Sequence, residues 1–214
     1  MKIIIINGSP KLGDSTSELM SQYLTSAINS HEIISYNVNR APLTEAQFDE
    51  MKSSDALVFA FPLYVDSIPA HLLRVLIDIE KREFLNPQTL VYCIINNGFF
   101  EGRQNHIAVE QMKLWCEAAH LTWGQAVGIG AGEMLPLVKN IPLGHGPNKN
   151  IGNAIKTLSK NITTAESGTD IFISPNWPRF LWRFQGSIMF WYPRAKANGL
   201  NMRKMRRRID RYHL

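Results

Sequence analysis

The stretch that decides the fold is Ile3-Ile4-Ile5-Ile6-Asn7-Gly8-Ser9-Pro10-Lys11, close to the start of the chain. Four β-branched residues in a row, with no alternation of polar and apolar side chains, predict a strand that is covered on both faces. Strands of this kind occur in parallel sheets that lie between layers of helices. The glycine and polar residues that follow predict a turn into a helix. The opening of the chain therefore predicts a layered α/β protein.

The same pattern returns further along the chain and separates segments with helical periodicity. Buried strands are predicted at 56–61 and 90–95, with weaker candidates at 31–38 and 126–129. Helices are predicted at 16–29, 45–53, 68–82, 105–120 and 148–165. This alternation predicts a flavodoxin-like three-layer fold with a five-stranded parallel sheet in the order 2-1-3-4-5. In open α/β sheets ligands bind beyond the carboxyl ends of the strands, so the loops after strands one, three and four are the candidate site.

The composition fits one folded domain with an appended segment. Of the 214 residues, 45% are hydrophobic and 19% are charged, which excludes global disorder and collagen-like classes. No stretch reaches the length of a membrane span or has the pattern of a secretory signal, so we expect a cytoplasmic protein. Two cysteines, Cys93 and Cys116, predict reduced, buried thiols rather than a disulfide framework or an iron–sulfur site. The histidines show no metal-binding spacing, and no metal site is predicted.

The positive charge is concentrated at the end of the chain. Residues 179–214 carry ten Lys or Arg side chains against Asp210 alone, a net charge of +9, which leaves −4 for residues 1–178 out of the total of +5. A sequence pI near 9.3 therefore describes this last segment and not the main domain. Any partner that is a polyanion is expected to bind the last segment.

The first candidate loop spans residues 7–18 and has the character of a phosphate cradle. Free N–H groups at the start of a helix favour an anion, and Lys11 would add a cation. Four hydroxyl groups would add donors, those of Ser9, Ser15, Thr16 and Ser17. The alternative is a capping box formed by Ser15 and Glu18, but one cap does not use four hydroxyls. Neither a P-loop nor a dinucleotide fingerprint is present, so a mononucleotide is the expected ligand.

The second loop, 62–70, begins Pro62-Leu63-Tyr64-Val65 and is stiffened by its two prolines. A rigid turn that offers a tyrosine and apolar side chains suits a flat heteroaromatic ring. The alternative is an ordinary helix start, with Ser67 as the cap and Pro69 in the first turn. Taken by itself, the loop does not decide between the two.

The third loop, 96–105, contains Asn97-Gly98-Phe99 and is rich in amide groups. Glycine lets the backbone approach a planar ligand, and amides can pair with the imide edge of a pyrimidine-like ring. The alternative is a turn with Asn105 capping the fourth helix. Position favours the functional interpretation, because all three loops lie at the same edge of the predicted sheet.

Together the three loops resemble those of the flavodoxin-like NAD(P)H-dependent FMN reductase family. The resemblance rests on Gly8-Ser9-Pro10-Lys11 with Ser15-Thr16-Ser17, on Pro62-Leu63-Tyr64 with Pro69-Ala70, and on Asn97-Gly98-Phe99. It implies noncovalent FMN with its phosphate on Ser9, Lys11, Ser15, Thr16 and Ser17. It implies contacts from the isoalloxazine to Pro62, Leu63, Tyr64, Val65, Asn97, Gly98 and Phe99.

The resemblance, which extends over residues 1–165, also implies an activity. Members of the family form homodimers and pass a hydride from NAD(P)H to flavin N5, and the reduced flavin then serves a quinone, azo, nitro, metal or protein acceptor. The flavin carries the chemistry, so no side chain is nominated as acid or base. One departure is Asp14, whose carboxylate would oppose a phosphate unless it points outward or caps the helix.

We expect residues 1–170 to form the FMN-binding domain and residues 171–214 an aromatic and basic extension. The aromatic stretch 180–192 has three possible packing partners: the main domain, a second subunit or a membrane surface. Protein packing is favoured because the stretch is short and is interrupted at Gln185 and Gly186. Beyond it a basic amphipathic helix is predicted from Met202, Met205, Ile209 and Tyr212. This helix either docks with a solvated charged face or attaches to anionic lipid or an acidic protein; nucleic acid is a less favoured partner because no reader module is present.

The sequence thus favours an FMN-dependent oxidoreductase that uses NAD(P)H. The first alternative is a nonenzymatic flavodoxin-type electron carrier, recruited to an acidic partner or a membrane surface by its basic tail. The second is a flavin-binding regulatory or membrane-associated module.

Overall fold

A computed structural model of the chain describes residues 1–11, 13–39, 41–82 and 85–205. Its centre is a parallel sheet in the strand order β2-β1-β3-β4-β5-β6. The strands are β1 (Lys2–Asn7), β2 (Glu32–Asn37), β3 (Ala56–Pro62), β4 (Leu90–Asn96), β5 (Thr122–Ile129) and β6 (Ile171–Ile173). The expected parallel sheet and its order are confirmed for the first five strands. The expected count of five is wrong, because β6 pairs in parallel with β5 at the edge.

Helices cover both faces of the sheet. The helices of the main domain are α1 (Thr16–Ala27), α2 (Glu45–Met51), α3 (Ala70–Arg82), α4 (His106–Ala118), α5 (Leu135–Val138) and α6 (Lys149–Thr163). Ile4 and Ile6 share one core with residues of α2, α3 and α4. Ile3 and Ile5 share the other core with residues of α1 and α6. The run of isoleucines does not alternate because each side of β1 faces its own hydrophobic core.

The edge strand β6 depends on a carboxylate beside it. Asp170 precedes β6, and its Oδ1 accepts hydrogen bonds from the Ala126 backbone N–H at 2.8 Å and from Trp123 Nε1 at 3.3 Å. Its Oδ2 forms an ion pair with Lys113 Nζ at 2.8 Å. These contacts tie the segment that leads into β6 to β5 and α4. With three partly buried residues, β6 is too short for a pattern of hydrophobicity to reveal it.

Both cysteines are free and buried, as predicted. Burial raises the pKa of the Cys116 thiol to about 12, and the negative charge of Glu117 adds to the effect. Burial likewise raises the pKa of the Cys93 thiol. Neither thiol is available as a thiolate nucleophile near neutral pH.

The chain divides into two compact units, Met1–Asn176 and Trp177–Leu214. The strand β6 therefore belongs to the first unit, although residues 171–173 were expected in the extension. The second unit contains α7 (Arg179–Gln185), a π-helical segment (Gly186–Trp191), α8 (Tyr192–Ala197) and α9 (Met202–Met205). Of the predicted basic helix, Ile209 and Tyr212 lie outside the described residues. In the ranges that the structure describes, no helix has the length and apolar character needed to cross a membrane.

Candidate functional site

The three loops converge on one cavity of about 370 Å³ at the carboxyl ends of β1, β3 and β4. This volume lies in the usual range for small-molecule sites. The first loop contributes hydroxyl groups and a cation, the second an apolar and aromatic wall, and the third amides and a glycine. The lining residues are Ser9, Lys11, Ser15, Thr16, Ser17, Pro62, Leu63, Tyr64, Asn96, Asn97, Gly98, Glu133 and Pro136. Ten of the twelve residues expected from the sequence are therefore brought together, whereas Val65 and Phe99 do not line the cavity.

The first loop leaves β1 through a turn that Asn7 organises. The Asn7 Oδ1 atom accepts a hydrogen bond from the Ser9 N–H at 3.0 Å, and its Nδ2 donates to Glu18 Oε2 at 2.8 Å. Between them the Gly8 N–H donates to the Ala60 carbonyl at 2.9 Å. A Cβ atom on Gly8 would lie 2.6 Å from Leu72 Cδ2, so a larger residue would require the Leu72 side chain in α3 to shift.

The capping alternative for the first loop is half correct. The Ser15 Oγ atom accepts a hydrogen bond from the Glu18 N–H at 3.1 Å, so Ser15 does cap α1. The Glu18 carboxylate bonds to Asn7 and leaves the reciprocal half of a capping box unmade. Asp14 is exposed and does not line the cavity, which removes the charge conflict with a bound phosphate.

The hydroxyl groups of the first loop differ in the direction of their hydrogen bonds. Ser9 Oγ accepts from the Lys11 N–H at 3.3 Å, Ser15 Oγ accepts from Glu18, and Ser17 Oγ accepts from Asn96 Nδ2 at 3.0 Å. All three serines are buried, and none of their hydroxyl protons is donated to another described residue. These protons are therefore available to an acceptor in the cavity.

Thr16 is the exception among the hydroxyls. Its Oγ1 donates to the Gly132 carbonyl at 3.1 Å, so its proton is already used within the protein. The same glycine donates its N–H to the Asn97 carbonyl at 2.7 Å. Thr16 thus ties the start of α1 to the loop after β5, and its side chain acts as a positioning group.

The second loop turns sharply beyond the cavity. Tyr64 and Ser67 exchange two backbone hydrogen bonds of 3.1 and 3.0 Å around Val65 and Asp66, which both have positive φ, at 49° and 57°. The Ser67 hydroxyl donates to Gln111 Oε1 and α3 begins only at Ala70, so the alternative in which Ser67 caps this helix is wrong. Tyr64 is 49% exposed and lines the cavity, whereas Val65 is 99% exposed and does not line it.

We expect that Val65→Asn raises the free energy of unfolding by about 1 kcal/mol, because a β-branched residue is strained in the left-handed region that asparagine tolerates. FMN affinity should not change, since Val65 lies off the cavity. Denaturant unfolding and FMN titration measure the two quantities. Leu137→Asn, at an exposed helical position, is the matched control and should give no gain. If Val65→Asn lost FMN binding, Val65 would have to contact the ligand, contrary to this prediction.

In the third loop the side-chain amides form hydrogen bonds within the protein. Asn96 Nδ2 donates to Ser17 Oγ and, at 3.3 Å, to the Phe61 carbonyl. Asn97 Oδ1 accepts from the Phe99 N–H at 2.8 Å, and its Nδ2 donates to the Glu101 carbonyl at 3.2 Å. With both amides engaged, the exposed backbone of Gly98 is the part of the loop that is open to a ligand.

Asn105 does not cap the fourth helix with its side chain. No capping hydrogen bond is made, and its Nδ2 donates to the carbonyls of Gly102 and Ile129 at 2.9 and 3.3 Å. Asn105 thus occupies the N-cap position of α4, as the capping alternative had it, but makes no side-chain cap. Phe99 is 54% exposed and does not line the cavity.

Three lining residues escaped the sequence analysis, Asn96, Glu133 and Pro136. Asn96 is the last residue of β4, in the amide run already singled out. Glu133 and Pro136 follow β5, whose carboxyl end lies at the same edge of the sheet. Counting the loop after every central strand would have found them. Across the described parts of the chain, no group of three or more His, Cys, Asp or Glu side chains could hold a metal ion.

Comparison with known proteins agrees with this geometry. Residues 1–79 match a family model described as a flavodoxin-like fold. An FMN-dependent NADH-azoreductase from Bacillus anthracis, solved in complex with FMN, is similar over 76% of this chain and 99% of that one, with 14% identity and a TM-score of 0.52. An NADH:FMN oxidoreductase, solved in its apo form, is similar over 78% of this chain and 90% of that one, with 14% identity and a TM-score of 0.57.

A third similar structure is an NADPH-quinone reductase from P. pentosaceus, with 14% identity and a TM-score of 0.55 over 75% of this chain and 99% of that one. No curated protein matches the sequence. Likeness at such low identity shows the fold alone. The flavodoxin-like fold that the resemblance implies is confirmed by the matched family model, and the three solved structures share that fold.

Proposed function

We propose that the protein is an FMN-dependent oxidoreductase that accepts a hydride from NAD(P)H. The observation that carries the proposal is the single cavity in which available serine protons, a lysine and an apolar aromatic wall meet at the edge of a parallel sheet. A mononucleotide with an anionic and a flat aromatic end matches this combination of donors and walls. The similar azoreductase and NADH:FMN oxidoreductase support FMN as that mononucleotide.

The phosphate end of the ligand would lie at the first loop. The first-turn N–H groups of Thr16 and Ser17 have no carbonyl one turn earlier to bond, and the dipole of α1 favours negative charge there. The hydroxyls of Ser9, Ser15 and Ser17 are set to donate, because their oxygens already accept from the protein. The ammonium group of Lys11, which lines the cavity, would supply the cation.

The ring end would lie between the second and third loops. Pro62, Leu63 and Tyr64 offer an apolar wall with an aromatic face, and the N–H of Gly98 can donate to a ring carbonyl. The Glu133 carboxylate can accept hydrogen bonds from the ribityl hydroxyls. Bound FMN would accept the hydride and transfer electrons, while the chain would orient the flavin and provide charged groups and an apolar surface beside it.

The enzyme is favoured over the electron carrier because the similar solved structures include reductases of azo compounds, flavin and quinone. We expect the purified protein to be yellow, and FMN to be reduced rapidly when NADH or NADPH is mixed with the holoprotein. FMN bleaching in stopped flow measures this reaction. Reduction by neither nucleotide, with FMN bound, would instead favour the carrier.

Binding of FMN itself is tested by titration of the apoprotein. Quenching of flavin fluorescence should saturate at one FMN per chain, and riboflavin should bind more weakly because it lacks the phosphate. A titration that shows no binding of FMN would falsify the proposal. The family resemblance further implies a homodimer, which the mass of the holoprotein in solution would reveal. Screening of quinone, azo, nitro and metal compounds with the reduced protein would identify the acceptor.

A further inference from the structure

The second unit carries an unusual number of large apolar side chains in contact with solvent. Phe180 is 72% exposed, Phe184 is 62% exposed and Trp191 is 60% exposed, and Ile188 between them is half exposed. These four residues, named here the aromatic face, lie in one helical stretch: Phe180, Phe184 and Ile188 follow one another at intervals of four, and Trp191 ends the π-helical segment. None of the residues of α7, the π-helical segment or α8 is buried. A contiguous exposed apolar surface of this kind marks an interaction site.

Protein packing was favoured because the stretch is short and is interrupted at Gln185 and Gly186. The structure removes the second of these two reasons. The helix instead continues through Gly186 as a π-helical segment and, with Pro193 in the first turn of α8, extends from Arg179 to Ala197. The four residues of the aromatic face therefore belong to one unbroken helical stretch.

Cations accompany the aromatic face. Arg183, Arg194 and Lys196 lie on the same helix, and residues 177–205 contain no Asp or Glu. The Arg194 guanidinium stacks on the Phe190 ring, 3.3 Å from its centroid, in a cation–π contact. Arg203 and Lys204 of α9 extend the positive charge. This arrangement is that of a helix at a boundary between an apolar and an anionic layer.

We propose that α7 to α8 lie in the plane of an anionic phospholipid surface, with the aromatic face in the acyl boundary and the cations among the headgroups. A lipid surface accounts for both features, because Phe and Trp enter the boundary and Lys and Arg bind the anionic groups. An acidic protein would account for the cations alone. Acidic groups on such a protein would not provide an apolar surface for the exposed aromatic rings.

Flotation of the full-length chain with vesicles tests the proposal. Binding to phosphatidylcholine vesicles that contain phosphatidylserine should exceed binding to pure phosphatidylcholine vesicles and should weaken as salt is raised. Phe184→Ser and Trp191→Ser should each lower the partition coefficient by about tenfold, because each removes a large side chain from the boundary. Arg183→Gln and Lys196→Gln should each lower it by about fivefold.

Two variants of the main domain serve as matched controls. Leu137→Ser removes a side chain that is 81% exposed, and Lys139→Gln removes a cation, without touching the second unit. Neither should change flotation, and circular dichroism should show unchanged helix content in every variant. Absence of binding to the anionic vesicles, or binding that the tail variants leave unchanged, would overturn the proposal. The proposal would also be overturned if the chain bound polyglutamate but not the vesicles, and if Phe184→Ser and Trp191→Ser did not change the binding to polyglutamate.

Discussion

Gly102→Ala is expected to lower the free energy of unfolding by about 3 kcal/mol or more. Gly102 opens the 3₁₀ turn before α4 and is buried against two strands. A Cβ atom there would meet the backbone of Ile173 in β6 at its carbonyl oxygen, the Ile173 nitrogen at 2.7 Å and the Gly128 carbonyl oxygen of β5 at 2.5 Å. Backbone atoms of two hydrogen-bonded strands cannot rotate aside as a side chain can, so the clash must open the edge of the sheet.

The measurement is thermal or denaturant unfolding of the two variants Gly102→Ala and Gly98→Ala. Gly98 is the matched control, because a Cβ atom at that position has nothing within 4 Å. For a chain of this length, 3 kcal/mol corresponds to a fall in melting temperature of about 6–12 °C. Equal stability of the two variants would mean that the turn does not pack on β5 and β6 as described.

Lys11→Gln is expected to weaken FMN binding by about 10- to 100-fold while leaving riboflavin binding unchanged. Lys11 lines the cavity together with three serines whose hydroxyl protons are free to donate. Its loss removes a charge-assisted contact that only the phosphate of the ligand can make. Because riboflavin carries the same ring without that phosphate, the ratio of the two affinities isolates the contact.

Titration of both flavins into wild type, Lys11→Gln and Lys139→Gln measures this ratio. Lys139→Gln controls for loss of an exposed cation outside the cavity and should bind both flavins normally. High salt should weaken FMN binding to the wild type more than riboflavin binding. Parallel losses for FMN and riboflavin in Lys11→Gln would show that Lys11 supports the fold of the loop and does not contact a phosphate.

Local features of the sequence made much of the main domain predictable. The isoleucine run at 3–6 and the apolar runs at 56–61 and 90–95 are long enough for burial on both faces to show in their composition. Each of these strands is followed by a loop with polar or aromatic residues. Because parallel strands have their carboxyl ends at the same edge of the sheet, the parallel order alone indicated that the three loops lie together. The helices α3 and α4 were predictable as well, because the helical spacing of their apolar residues is a local property of the sequence.

Other features were hidden because they depend on partners far apart in the chain. The edge strand β6 is held by the carboxylate of Asp170, whose partners Lys113, Trp123 and Ala126 lie more than forty residues earlier. The Ser67 hydroxyl donates to Gln111, and Asn105 occupies the N-cap position of α4 while its Nδ2 donates to the carbonyl of Ile129. No window of neighbouring residues contains these distant partners.

By itself the sequence determined a layered parallel sheet and the three loops that form one site, because strand burial and turn chemistry are local properties. Only the tertiary structure decided which hydroxyls can serve a ligand. Asn96 engages the Ser17 oxygen and leaves its proton free, whereas the Gly132 carbonyl takes the proton of Thr16. Both partners come from other loops, and the direction of a hydrogen bond is fixed only when its two groups meet in the folded chain.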